Sequence, residues 1–495
     1  MTDTNTRKKF HYGFIPLAMS IGLAFVSSAS MAQSKDGDAA MDDATTSPAA
    51  EGDDVLPRRE LPVDTAEVRE AEVSIRDERV PYRVTIGTQP VYGEDDKAIA
   101  ALHYTFYERR DVDDTENRPL FISFNGGPGS GSLWMHLGYT SPKVLVIDDE
   151  GYPVQPYGVR DNPHSILDVA DIVYVNPVNT GFSRILDDEV DREEFFGIDA
   201  DIEYLAGWID VFVSRVGRWR SPKYLIGESY GTTRVSGLAS ALQNNHWMYL
   251  NGVILVSPTG LGMMAPGPSP RSSLLKLPYY AAAAHYHGQL EESLQAKGLL
   301  EVLAEAEEFT IEEYLPALAK GGFIEDDERE RIAAEVARYS GLSERFVLDY
   351  NLAVPASAFW KELLRDEGYT IGRLDSRYLG VDGVNAGESY DYPPELISWN
   401  HAFAPAINSY LRDELGFETD LQYYLFGPVH PWEDDDTDVA EELRQAMAQN
   451  PYLNVMVQSG YYDGATDYFS AKYVLWNLDP SGRLRDRLRF EGYES

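Results

Sequence analysis

A serine between two glycines is the strongest chemical pattern in this sequence. Residues 227–231, Gly-Glu-Ser-Tyr-Gly, match G-x-S-x-G, in which a strand turns sharply into a helix and presents a serine as a nucleophile. An apolar strand at 224–227 precedes Ser229, and an amphipathic helical stretch at 232–242 follows it. A side chain at either flanking position would crowd such a turn. The turn would also place the Tyr230 N–H at a helix N-terminus, where it can donate to an oxyanion. A glycine-rich turn without chemistry is the alternative.

A second glycine-rich loop, Asn125-Gly-Gly-Pro-Gly-Ser-Gly-Ser132, directly follows another apolar strand at 119–124. Backbone N–H groups can approach a ligand closely where side chains are absent, and a strand end places them at the carboxyl edge of a sheet. A phosphate-binding role fits poorly, because no lysine follows the loop as a P-loop requires. The loop is therefore a candidate source of oxyanion donors, with a plain structural turn as the alternative.

The strands and helices around these loops predict an α/β architecture. Short apolar runs bounded by Gly, Pro or Asn, with helical stretches between them, are typical of a parallel sheet covered by helices on both faces. These runs lie at 119–124, 170–177, 224–227, 252–257 and 454–458. Before them, Val73–Ile86 and Ala98–Tyr107 alternate apolar and polar residues and predict antiparallel strands.

Almost 200 residues separate the last two apolar runs, which is too long for a simple crossover and predicts an inserted cap. Their pattern is mostly helical, for example at Leu290–Glu308, Asp327–Tyr339 and Ala402–Leu415. The predicted organisation is a first part of the core at 66–262, a mainly helical cap at 263–435 and a C-terminal part of the core at 436–495.

The N-terminal region predicts export. Arg7-Lys-Lys9 precedes a 13-residue apolar run at Phe14–Val26, and Ser30-Met-Ala32 is a small-residue cleavage site. We therefore expect a signal peptide at 1–32, cleaved after Ala32, and a periplasmic or secreted protein. Residues 33–65 are acidic and lack aromatic side chains, which predicts a disordered linker.

Composition excludes several classes of function. The 495 residues include 42 basic and 81 acidic side chains, a net charge of −39, and no cysteine. Such a surface repels nucleic acids and anionic membranes. The lack of cysteine rules out disulfides, thiolate metal sites and a cysteine nucleophile. His285-Tyr-His287 has no apparent third ligand, so we expect no metal and no cofactor.

Four motifs together resemble the serine carboxypeptidase family, peptidase family S10, which has the α/β-hydrolase fold. They are the Asn125 loop, the Ser229 pentapeptide, Asn179-Thr-Gly-Phe-Ser183 and Ser459-Gly-Tyr-Tyr-Asp463. They occur in the order found in the family, and the resemblance covers residues 119–495.

The resemblance implies roles for six residues. Ser229 would be the nucleophile, Asp463 would be the acid that orients a histidine, and the N–H groups of Gly127 and Tyr230 would form the oxyanion hole. Asn125 and Glu228 would bind a substrate's C-terminal carboxylate. It also implies peptide substrates with a free C-terminus. Glu228 and the substrate's C-terminal carboxyl group would then lie within hydrogen-bond reach of each other, and one of the two must hold a proton. Peptide cleavage should therefore favour acidic pH.

The sequence departs from the family pattern at three positions near the loop. Ser130 replaces a cysteine, Ser123 an aromatic residue and Tyr139 a glutamate. The last two changes affect the neighbourhood of the implied carboxylate site. They keep open an esterase or acyltransferase built on the same core.

A catalytic histidine is missing from the expected place. α/β-Hydrolases follow the order Ser, acid, His, and no histidine follows Asp463 in this chain. We interpret this as a sequence that stops one or two residues short of the histidine and expect the 495-residue chain to be inactive or nearly so. A non-catalytic binding protein is the alternative. Asp467 is a second candidate for the acid.

Overall fold

The computed structural model describes residues 60–93, 95–148, 151–187, 189–263, 273–433 and 438–494. The predicted signal peptide (1–32) and residues 33–59 of the predicted linker lie outside the described residues. Within the rest of that linker, the side chain of Leu61 is already buried. The first strand begins at Thr65.

A ten-stranded sheet forms the centre of the described chain, in the order β1-β2-β3-β7-β4-β9-β10-β13-β14, with β8 pairing with β3. Pairs from β1 to β7 are antiparallel, and every pair from β7 to β14 is parallel. The strands are β1 Thr65–Ile75, β2 Glu78–Tyr92, β3 Ala98–Arg109, β4 Leu120–Phe124, β5 Lys143–Leu145, β6 Val159–Asp161, β7 Asp171–Val175, β8 Arg184–Ile185, β9 Lys223–Glu228, β10 Gly252–Val256, β11 Thr370–Ile371, β12 Leu379–Gly380, β13 Asn454–Gly460 and β14 Leu488–Tyr493.

Helices cover both faces of this sheet. The helices of the described residues are α1 Leu133–Met135, α2 Ile198–Arg215, α3 Tyr230–Asn245, α4 Leu277–Tyr286, α5 Glu292–Gln295, α6 Leu299–Phe309, α7 Leu315–Lys320, α8 Asp326–Ser340, α9 Glu344–Asp349, α10 Ala356–Glu362, α11 Pro394–Ser409, α12 Val439–Gln449 and α13 Tyr468–Asn477. Strand residues such as Leu225 pack with α2, α3 and α12 on one face. Ile226 packs with α1 and α11 on the other.

Burial on both faces explains why the parallel strands appear as continuous apolar runs. The strand order and the two helical layers confirm the predicted α/β class and form the α/β-hydrolase fold.

The prediction of one strand over Val73–Ile86 is wrong. β1 ends at Ile75 and β2 begins at Glu78, with a two-residue turn between them. Both turn residues, Arg76 and Asp77, adopt left-handed φ values of 47° and 65°, as tight hairpin turns require. The missed sequence evidence is a change of phase. Buried residues occupy odd positions before the turn and even positions from Val80 onward.

Between β10 and β13 the helices build a separate apolar core. Residues of α4, α6, α8 and α10 pack together there, joined by Phe469 of α13. The helix predicted over Leu290–Glu308 is interrupted, because the chain leaves helical geometry between α5 and α6 around Gly298. In the part of the chain described here, no helix combines the length and apolarity needed to cross a membrane.

The end of α3 offers a stability test. Trp247, 87% exposed, has a left-handed φ of 55° just after the helix, a position where glycine is usual. We expect Trp247→Gly to raise the free energy of unfolding by about 0.5–1 kcal/mol, because the relieved strain exceeds the added chain entropy of glycine. Tyr249→Gly, at an exposed residue outside the left-handed region, should lower it by a similar amount. Urea denaturation measures both, and equal losses would contradict the assignment.

Candidate active site

Ser229 occupies the single residue between β9 and α3. Its backbone has φ 55° and ψ −125°, a conformation that a serine adopts only at a cost. Its N–H donates to the Val256 carbonyl at 3.0 Å, which ties the turn to the end of the neighbouring strand β10. The side chain is half-buried at the carboxyl edge of the parallel strands. This is the strand-turn-helix geometry that the pentapeptide predicts.

The glycines around Ser229 are required by close backbone packing. A Cβ added to Gly227 would overlap the carbonyl oxygen of Gly231. A Cβ on Gly231 would lie 3.0 Å from the Asn125 carbonyl oxygen, and one on Gly126 would overlap the Tyr230 nitrogen. The two glycine-rich segments, about a hundred residues apart in the sequence, therefore lie in direct backbone contact.

Asn125 and Glu228 are hydrogen bonded to each other beside the turn. Asn125 Nδ2 donates to Glu228 Oε2 at 2.9 Å, while Asn125 Oδ1 accepts from the Met135 N–H at 2.9 Å. Burial raises the pKa of Glu228 to about 7; the hydrogen bond from Asn125 opposes the rise and the charge of Asp463 adds to it. Glu228 can therefore hold a proton under mildly acidic conditions.

Asp463 lies just beyond the end of β13 and is held by three donors. Its Oδ1 accepts from the N–H groups of Ala465 at 2.9 Å and Thr466 at 3.1 Å, and its Oδ2 from Thr466 Oγ1 at 2.8 Å. Burial raises the pKa of Asp463. The charge of Asp463 adds to the rise in the pKa of Glu228, so the two carboxyl groups interact electrostatically.

Asp467, the second candidate for the acid, has a structural role. It caps α13 by accepting from the Ser470 N–H at 2.8 Å. It also forms an ion pair with Lys276 at 2.9 Å and is almost fully buried. These contacts occupy its carboxylate, which leaves Asp463 as the acid to be tested.

The two implied oxyanion donors come from adjacent segments. Gly127 has φ 109°, a conformation that favours glycine, and an added Cβ would lie 2.7 Å from the Ser130 nitrogen. Tyr230 is the first residue of α3, so its N–H is at the positive end of the helix dipole. The contact between Gly126 and the Tyr230 nitrogen brings the loop beside this helix end. Their role as an oxyanion hole remains a prediction.

No histidine among the described residues hydrogen bonds to Ser229 or Asp463. Burial lowers the pKa values of His103 and His136 to about 3, so both are neutral. Histidines of the described chain bond elsewhere: His103 to Asn176, His136 to Tyr107, His246 to Asp210, His285 to the Lys297 carbonyl, His287 to the Ser376 carbonyl and His401 to the Ile397 carbonyl.

Sequence reasoning missed two residues that support the site. Thr466 binds Asp463, and Arg234 donates to the Asn125 carbonyl oxygen at 2.7 Å. Thr466 could have been found, since a threonine three residues after an aspartate often closes a local turn. Arg234 stands out only as a charged residue within a helix of small and apolar residues.

A family comparison covers the two glycine-rich segments and the nucleophile. The family model described as serine carboxypeptidase matches residues 91–291. These residues form a domain of the serine carboxypeptidase family. Asn125, Glu228 and Ser229 all lie inside the match, whereas Asp463 lies outside it.

Individual curated relatives match stretches of 95 to 197 residues. Carboxypeptidase Y of Schizosaccharomyces pombe is 36% identical over 95 residues, 18% of this chain and 8% of its own. Serine carboxypeptidase-like 31 of Arabidopsis thaliana is 28% identical over 173 residues, 34% of this chain and 32% of its own. Lysosomal protective protein of Mus musculus is 27% identical over 197 residues, 39% of this chain and 36% of its own. The chain thus spans about a third or less of the length of these curated relatives.

Solved structures resemble the chain more broadly but less closely. The prohormone-processing carboxypeptidase Kex1(delta)p of Saccharomyces cerevisiae has a TM-score of 0.48 at 15% identity, over 81% of this chain and 77% of that one. The esterase LipA of Xanthomonas oryzae has a TM-score of 0.35 at 10% identity, over 89% and 92%.

The glycine before the turn provides a direct test of this packing. We expect Gly227→Ala to lower the free energy of unfolding by about 2–3 kcal/mol, because its methyl group overlaps the Gly231 carbonyl and backbone must move. Gly207→Ala, inside α2 with open space around its Cα, should instead raise it by about 0.5–1 kcal/mol. Thermal unfolding of both variants measures the difference. A tolerated Gly227→Ala would contradict the elbow geometry.

Proposed function

We propose that this protein is a serine carboxypeptidase that removes the C-terminal residue of peptides through an acyl-enzyme on Ser229. One observation carries the proposal: the hydrogen-bonded pair of Asn125 and Glu228 adjoins the strained turn of Ser229. A carboxyl group that is protonated near pH 7, next to an amide N–H, is suited to bind a carboxylate. A nucleophile beside a carboxylate site cleaves the last bond of a peptide rather than an internal one.

The proposed reaction begins when Ser229 Oγ attacks the carbonyl carbon of the last peptide bond. The oxyanion that forms accepts hydrogen bonds from the N–H groups of Gly127 and Tyr230. These hydrogen bonds are stronger than those in the ground state because negative charge develops on the oxygen. The amine leaves with a proton, and water then hydrolyses the acyl-enzyme. Both proton transfers need a general base. Asp463 would orient this base by accepting a hydrogen bond from the N–H of the base.

Residues 60–494 supply the proposed nucleophile and acid but place no histidine beside them. Ser229 alone is a weak nucleophile at neutral pH. Free imidazole, which can diffuse into a site lacking this ring, offers a way to test the other residues without assuming where the base originates.

Imidazole rescue is the decisive assay. We expect the 495-residue chain to release the C-terminal residue of a free-acid peptide slowly, and added imidazole to raise this rate at least about tenfold by general-base catalysis. Ser229→Ala and Asp463→Asn should each abolish the increase, while Asp467→Asn, which is matched in charge, should retain it. Release is measured by mass spectrometry of the shortened peptide. Imidazole-stimulated cleavage that survives Ser229→Ala would contradict the proposed nucleophile.

A pH titration tests the role of Glu228. Its pKa of about 7 lies above the ordinary value of 4.5, so the protonated carboxyl group persists to about neutral pH and is lost as the pH rises through 7. In the Ser229→Ala protein, affinity for a free-acid peptide should therefore be high at pH 5 and fall roughly tenfold by pH 8. Glu228→Gln, which keeps an N–H donor at every pH, should flatten this profile. Calorimetry measures both.

The C-terminal amide of the same peptide is the control for that titration. It carries no carboxylate, so its affinity should change little between pH 5 and pH 8. Equal pH profiles for acid and amide would contradict the carboxylate site.

An esterase or acyltransferase is the second candidate, favoured by a specific observation. Tyr139, where relatives commonly have a glutamate, donates to Gln458 Oε1 at 2.6 Å instead of completing an acidic cluster. An enzyme of that kind would cleave esters at equal rates whether or not they carry a carboxylate. The acid-and-amide comparison separates the two candidates.

The proposed location is the periplasm or the exterior of the cell, after cleavage of the predicted signal peptide following Ala32. One relative, the lysosomal protective protein of Mus musculus, is named for another non-cytosolic compartment. Acidic conditions of the kind found in such compartments would suit a protonated Glu228.

A further inference from the structure

Arg234 is fully buried in α3, five residues after Ser229. A buried guanidinium is costly to desolvate unless its N–H groups all find acceptors. Its Nε donates to Asp201 Oδ2 at 2.7 Å and its Nη2 to Asp201 Oδ1 at 3.3 Å. Asp201, equally buried on α2, also accepts from the Tyr204 hydroxyl at 3.1 Å. The carboxylate thus fixes one side of the guanidinium.

The other side of the guanidinium faces the backbone of the Asn125 loop. Nη1 donates to the Asn125 carbonyl oxygen at 2.7 Å, and Nη2 approaches the Pro128 carbonyl oxygen at 3.5 Å. Between these two carbonyls lie Gly126 and Gly127, which have no side chains to hold them in place. Arg234 therefore spans both ends of a segment that could otherwise move.

The first of these contacts continues directly to Glu228. The residue whose carbonyl accepts from Arg234 also binds Glu228 directly, because Asn125 Nδ2 donates to Glu228 Oε2 at 2.9 Å. Fixing the backbone of Asn125 therefore fixes the residue whose side chain reaches the Glu228 carboxyl group. Arg234, Asn125 and Glu228 form a continuous chain of contacts.

We propose that Arg234, held in place by Asp201, is a positioning residue for recognition of the substrate carboxylate. It fixes the backbone of Asn125, so that the Asn125 side-chain amide reaches Glu228. It acts through the loop and touches no substrate. This inference rests on the proposed function, because it assumes that Asn125 and Glu228 bind a carboxylate.

Peptide binding tests the inference in the Ser229→Ala protein, which cannot turn over its ligand. In Arg234→Lys the ammonium can still pair with Asp201, but it lacks the planar fork that also reaches the Asn125 carbonyl. We expect the affinity for a free-acid peptide at pH 5 to fall about tenfold, and that for its C-terminal amide to stay unchanged. Calorimetry measures both affinities, and circular dichroism confirms folding.

A double variant guards against a failure to fold. Arg234→Gln combined with Asp201→Asn removes both buried charges together and leaves no unpaired carboxylate. Its free-acid affinity should fall at least as far as that of Arg234→Lys, again with no change for the amide.

Arg218→Lys is the matched control. Arg218 is almost as deeply buried and donates to Asp171 at 2.5 Å, at the amino ends of β4 and β7, the opposite edge of the sheet. We expect it to lower the melting temperature much as Arg234→Lys does and to leave the preference for acid over amide intact.

The pH profile provides a readout that loss of stability alone would not move. The charged group that faces Glu228 is Asp463, and its neutral hydrogen-bond partner is Asn125. Because the Asn125 hydrogen bond lowers the pKa of Glu228, weakening it in Arg234→Lys should shift the midpoint of free-acid binding upward from about 7. Arg218→Lys should leave this midpoint in place.

The outcomes separate the two proposals. If Arg234→Lys keeps the acid preference and the midpoint of its parent while its stability falls, Arg234 is only structural and the inference is overturned. Equal losses for acid and amide would overturn it as well. If the parent itself fails to prefer the free acid, the proposed carboxypeptidase function is what fails.

Discussion

The site depends on one backbone contact, in which the loop after β4 lies against the first turn of α3. β4 and β9 are neighbouring parallel strands, and their register places Phe124 opposite Gly227. The segments that leave these two strands therefore emerge side by side. They can touch only because Gly126 and Gly231 lack a Cβ. This contact joins the proposed carboxylate site to a strained serine, although their motifs are far apart in the sequence.

Burial controls the electrostatics of the site more than the overall charge of the protein does. A chain with a net charge of −39 repels a peptide carboxylate at long range, and this repulsion is screened by salt. At the site, desolvation raises the pKa values of Glu228 and Asp463 and favours their neutral forms. Lower pH would therefore favour the approach of a peptide carboxylate in two ways. It weakens the long-range repulsion by reducing the net negative charge, and it keeps Glu228 protonated at the site.

Local patterns in the sequence predicted the fold and the strand-turn-helix geometry at Ser229. The parallel strands could be found because burial on both faces makes them continuously apolar. The turn could be found because Gly227 is required by its contact with Gly231, a neighbour in the same short motif. The hairpin turn at Arg76 was missed because a change of phase was taken for continued alternation.

Contacts between distant elements could not be predicted in this way. Arg234 pairs with Asp201 of α2 and with the backbone of the Asn125 loop, 33 and 109 residues away. Every residue has a backbone carbonyl that can accept a hydrogen bond. The sequence therefore does not indicate which carbonyl a buried arginine such as Arg234 will bind. The Ser257 N–H donates to the Gln458 carbonyl oxygen at 2.7 Å for a similar reason, because the pairing of β10 with β13 brings their ends together.

The donors around Asp463 limit how a catalytic base can join it. A carboxylate has about four lone-pair positions, and Asp463 accepts from two backbone N–H groups and the Thr466 hydroxyl. The N–H groups of Ala465 and Thr466 are fixed by the turn. The Thr466 hydroxyl can rotate to another acceptor. An imidazole N–H would therefore take the fourth position or replace the hydroxyl, and the fixed backbone donors would keep the carboxylate oriented while it does so.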